Sequence, residues 1–106
     1  MSEVTVPYID GLLEDLADPE EAAAYLNAAL EDGDQEVFLL ALRHVAEARG
    51  MSQVARKTRL NRESLYRMLS RAGNPSLDSL AAVLTALGLR LTVEANKPKR
   101  SVRRAA

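Results

Sequence analysis

The sequence predicts an all-α domain of five helices followed by a short β-strand. Three observations carry this. Apolar residues recur at three- and four-residue spacing through most of the chain. Each recurrence is bracketed by a capping residue before it and a glycine or turn cluster after it. Strict alternation of apolar and polar residues occurs once, near the end, where Leu89, Leu91 and Val93 interleave with Arg90, Thr92 and Glu94.

Residues 1–17 form a weakly patterned N-terminal arm. Helical structure starts at Asp18, a capping residue followed by Pro19 and by Glu20 and Glu21, which favour the positive end of a helix. The Ala22–Leu30 run is strongly helix-forming, and Gly33 is a left-handed stop. Asp34 opens a second helix with Val37, Phe38, Ala41, Leu42 and Val45 on one side, and Gly50 closes it. Two short helices follow, over 52–58 and 62–70, with Arg59, Leu60 and Asn61 between them. The Gly73-Asn74-Pro75 turn leads to Ser76, the cap of a fifth helix carrying Leu77, Leu80, Ala81, Leu84 and Leu87. The domain thus spans 18–94, and residues 95–106 form a polar, basic tail, either solvated disorder or a nonspecific DNA arm.

At 106 residues the chain is one domain with a modest core of Leu, Ala and Val. It contains no cysteine, which excludes disulfides and thiolate chemistry. One histidine, His44, has no partners spaced for a metal site, so no metal or other cofactor is expected. Ser64 and Ser70 lack a base nearby in sequence, and no catalytic residue is expected. No apolar run approaches the roughly 20 residues of a membrane span. The N-terminus lacks the basic start and apolar segment of a signal peptide, so a cytoplasmic location without a membrane partner is expected.

The net charge of −1 conceals a segregation. Residues 1–42 hold eleven Asp/Glu and no Lys or Arg; residues 43–106 hold fourteen Lys/Arg against four Asp/Glu. Such asymmetry suggests that the halves meet different partners, although the halves could also simply neutralise one another.

The basic charge concentrates on "MSQVARKTRLNRESLYRML", residues 51–69, with five Arg/Lys in nineteen positions. Two short helices crossing steeply need a small residue at the contact, and Ala55 is placed for it. Asn61 is a suitable N-cap for the second helix. At about 100° per residue, Leu65, Met68 and Leu69 share the inner side while Glu63, Arg67 and Ser70 point away. Tyr66 lies beside that outward set and Arg62 at the exposed N-terminal end. A major groove requires such a face: Arg donates twice to guanine, Glu accepts from cytosine N4, and Tyr packs on a thymine methyl or bonds a phosphate. Glu63 either reads cytosine or serves the helix dipole. Ser52 and Gln53 open the preceding helix, where phosphate is commonly gripped. Ser52, Gln53, Asn61, Arg62, Glu63, Tyr66 and Arg67 are the candidate DNA-binding residues.

With these residues in place, "SQVARKT" and "LNRESLYRML" followed by "GNPSLDSLAAVLTALGL" resemble the helix-turn-helix of Xre/Cro-type repressors, a lambda-repressor-like domain. More narrowly, the series "DPEEAAAYLNAALEDGD", "RGMSQVA", "RESLYR", "GNP" and "ALGLRL" resembles the addiction-module antidote family, antitoxins that partner RelE/HigB-like toxins. The likeness covers about residues 16–93. It implies an antitoxin that binds double-stranded operator DNA as a homodimer, represses its own type II toxin–antitoxin operon and neutralises the toxin by direct binding. The acidic Asp18–Asp34 segment would then face the toxin, or be only a well-capped surface helix. A stand-alone prophage-type repressor without a toxin is the alternative; an adaptor that binds no DNA is disfavoured by the arginines. One departure stands out, because the family usually has glycine in the turn where this chain has Arg59.

Overall fold

The structure, a computed structural model, describes residues 14–96. Residues 14–16 are helical, and five helices follow: α1 Pro19–Asp32, α2 Gln35–Arg49, α3 Met51–Thr58, α4 Arg62–Met68 and α5 Leu77–Ala86. The starts of α1, α2, α4 and α5 are fixed by side-chain caps read from the sequence. Asp18 accepts from the Glu20 N–H at 3.2 Å, Asp34 from Glu36 at 2.9 Å, Asn61 from Ser64 at 2.7 Å and Ser76 from Ser79 at 3.1 Å. Gly33, at φ 77°, ends α1 in the left-handed region. α4 is shorter than expected: Leu69 is already its C-cap, and the Ser70 hydroxyl donates to the Arg67 carbonyl.

α1 and α2 form a hairpin, and α3 packs on both α2 and α5. The core lies where α2, α3, α4 and α5 converge. Leu39, Leu42, Val45, Val54, Leu65, Leu69, Val83 and Leu87 are sealed there, with no buried polar side chain among the described residues. Leu16, within the expected N-terminal arm, is also buried. Residues 1–13 of that arm, and 97–106 of the basic tail, lie outside the described residues. Among the described residues no helix is long and apolar enough to cross a membrane.

The expected C-terminal β-strand is not formed; the described residues are all-helical apart from their connections. The reason is local. Gly88 adopts φ 81°, its N–H bonds the Thr85 carbonyl at 3.0 Å, and the Leu89 N–H reaches back to Leu84 at 2.8 Å. This is a Schellman closure of α5, in which the residue after glycine drops an apolar side chain back onto the helix. Leu89 packs against the core for that reason, and its N–H is not available to a ladder. Leu91 is 46% exposed and Val93 97% exposed, so the alternation continues without a face to bury. No second strand edge exists among the described residues to pair with this segment.

Arg59 adopts the left-handed conformation, φ 66° and ψ 23°, and is the one described non-glycine residue at positive φ. Its N–H bonds the Ala55 carbonyl, as does that of Leu60 at 3.2 Å, while Thr58 Oγ1 donates to Val54 at 2.8 Å. The turn is therefore closed as glycine would close it, at a strain cost of about 1–2 kcal/mol. Replacing Arg59 by glycine removes that strain but adds about 0.4–1 kcal/mol of unfolded-chain entropy. Arg59→Gly is expected to raise the midpoint of thermal unfolding slightly, with a gain of about 1 kcal/mol or less. A lowered midpoint would show that the guanidinium stabilises the turn by more than the backbone costs.

Candidate nucleic-acid interface

α3 and α4 each bury one side and expose the other. Met51 and Val54 anchor α3 inward, and Leu65, completely sealed, anchors α4. Ser52, Gln53, Asn61, Arg62, Glu63 and Arg67 are all exposed. The remaining member of the sequence-based set differs. Tyr66 is half-buried, packs against the core, and lies beneath the Arg43 guanidinium, 5.1 Å from its ring centroid. Arg43 is held in turn by Glu47, Nε to Oε2, at 3.4 Å. Asn61 is committed as the cap of α4, which fixes its side chain while leaving it on the surface.

α3 and the turn after it carry further exposed cations that the candidate set omitted. Arg56, Lys57 and Arg59 are exposed beside the set, so α3, its turn and α4 present five cations against one carboxylate, that of Glu63. None of these five cations makes an ion pair among the described residues. Helical spacing already carried the signal for Arg56, which lies three and four positions after Gln53 and Ser52. Arg43 had no such signal, because its contact with Tyr66 spans two helices.

Two exposed contacts link the segment after α4 to the start of α2. Gln35 Nε2 donates to the Gly73 carbonyl at 3.2 Å, and Arg71 pairs with Glu36 at 3.4 Å. Gly73 is required at its position, because a Cβ there would strike the Met68 carbonyl. α3 differs from the other four helices in lacking a side-chain cap, so its first-turn amides have no side-chain acceptor. An exposed helix start of that kind suits a phosphate.

The model of a protein family described as "probable addiction module antidote protein" matches residues 10–95. The chain belongs to this family. A protein of Haemophilus influenzae described as uncharacterized is 40% identical over 84 residues, covering 79% of this chain and 87% of its own length. No solved structure matches the chain. The match to the antidote family takes in all five helices and the candidate surface, and an antidote implies a toxin as its counterpart.

Proposed function

We propose that the chain is a cytoplasmic, non-catalytic antitoxin and operator-binding repressor. α3 and α4 act as an Xre/Cro-type helix-turn-helix, with α4 in the major groove. The observation that carries the reading is the surface of Arg56, Lys57, Arg59, Arg62 and Arg67 over a sealed apolar underside, in a chain of the antidote family. Arg62 and Arg67 contact base edges, Glu63 reads cytosine or complements the α4 dipole, and Gln53 and Ser52 hold phosphate with the uncapped start of α3. Tyr66 contributes only the edge that its packing leaves accessible. One seven-residue helix reads few base pairs, so the chain works as a homodimer on two half-sites about 34 Å apart. The toxin it neutralises is of the RelE/HigB-like class, and binding to its own operon makes it an autorepressor. Family membership favours this reading over a stand-alone repressor.

The test is binding of purified protein to the DNA upstream of its own gene across a salt series. Affinity is expected to fall as salt rises, because each phosphate contact releases counterions. Absence of binding to that DNA at low salt would refute the operator reading.

A further inference from the structure

The face of the α1–α2 hairpin is unlike the basic surface in both charge and chemistry. A groove runs between the two helices, lined by Tyr25, Ala28 and Asp32 of α1 and by Val37, Leu40 and Ala41 of α2. No residue of α3 or α4 lines it. Leu40 is 50% exposed and Val37 39%, and Leu30 on α1 is 57% exposed. These are three of the six large apolar side chains exposed among the described residues. Alanines on the floor let a partner backbone or side chain come close.

Asp32 is the charged residue that lines this groove, and the hairpin around it is acidic through residue 42. Residues 18–42 contain seven Asp/Glu, all exposed, and no Lys or Arg. Among the described residues only Glu36 of these seven meets a cation, the exposed Arg71.

We propose that this face is the docking surface for a cation-bearing protein, the toxin that an antidote implies. The proposal rests on the antitoxin reading and adds the surface. Three occupants compete, and charge separates them. Nucleic acid is repelled by the acidic hairpin. A second copy related by a two-fold axis through this face would set two acidic hairpins against each other, with Asp32 in each groove, which costs free energy that the apolar contacts must overcome. A protein with an apolar projection ringed by Lys or Arg meets complementary charge at the rim and an apolar slot at the centre, the usual anatomy of a specific interface. The chain then holds DNA and toxin on different helices, so that both can be bound at once.

The experiment uses the full chain and, as probe, the purified product of the reading frame adjacent to its gene. Calorimetric titration compares wild type, Leu40→Glu and Asp32→Lys, with thermal midpoint and binding to upstream DNA measured on each. Leu40→Glu removes the apolar wall while keeping the sign of the face; Asp32→Lys reverses the sign within the groove. Both are expected to weaken probe binding at least tenfold while midpoint and DNA affinity hold. Wild-type affinity in both variants would overturn the surface and leave the antitoxin reading standing. A probe that fails to bind wild type overturns both together. Loss of self-association in Leu40→Glu with unchanged probe binding would make the face a contact between copies, which also overturns the proposal.

Discussion

Leu65→Ala is expected to destabilise the protein by about 2–5 kcal/mol. Leu65 is completely inaccessible and is the one buried residue of α4. A seven-residue helix cannot hold itself together in water, since nucleation is unfavourable and few internal bonds follow. α4 therefore owes its existence to the Asn61 cap and to Leu65, with Leu69 just beyond its end. Truncation at Leu65 removes transfer free energy and leaves a cavity beneath the helix. For a domain whose total stability is on the order of 5–10 kcal/mol, this is a large fraction. Urea unfolding followed by circular dichroism measures it. A loss below about 1 kcal/mol would mean that α4 collapses onto the remaining core without cost.

What the sequence made legible divides by the range of the interaction. Helix starts depended on residues within three positions of one another, and Asp18, Asp34, Asn61 and Ser76 all cap as their neighbours demanded. Arg59 stood out only through the resemblance, which has glycine at that place, and its backbone is left-handed as glycine's would be. The C-terminal strand was misread because two mechanisms produce the same local pattern. Alternation signals a pleat when a second edge exists; here Leu89 belongs to the closure of α5, and only Leu91 and Val93 continue the alternation. A glycine at 88 following an apolar helix was the cue that favoured the cap.

Tyr66 marks the limit of angular reasoning on the candidate surface. Counting about 100° per residue places its Cα beside the outward set, but a long aromatic side chain is free to lean toward a neighbouring helix. It leans toward α2, where the Arg43 guanidinium covers the ring, a contact of about 0.5–1 kcal/mol at a partly exposed site. Nothing near Tyr66 in sequence announces an arginine 23 positions earlier. The other members of the candidate set are exposed, Asn61 with its side chain held by the cap of α4.

Arg67→Ala is expected to cost roughly 1–3 kcal/mol of discrimination between operator and random DNA, concentrated at one base position. Arg67 is exposed on the outward side of α4, directly opposite the sealed anchor at Leu65, and makes no ion pair among the described residues. Its removal therefore leaves no cavity and no orphaned buried partner, and the thermal midpoint should hold within about 0.5 kcal/mol of wild type. This separation of effects makes the variant informative where Leu65→Ala is not: a weakened complex with unchanged folding must originate at the interface. Titration of fluorescent duplexes at fixed salt, with each operator position substituted in turn, gives the measurement. If Arg67 donates two hydrogen bonds to a guanine, the variant loses the preference at that position alone and keeps most of its affinity for random DNA. Equal weakening on both DNAs, with a shallower salt dependence, would reassign Arg67 to the phosphate backbone. Unchanged affinity on both would remove α4 from the groove.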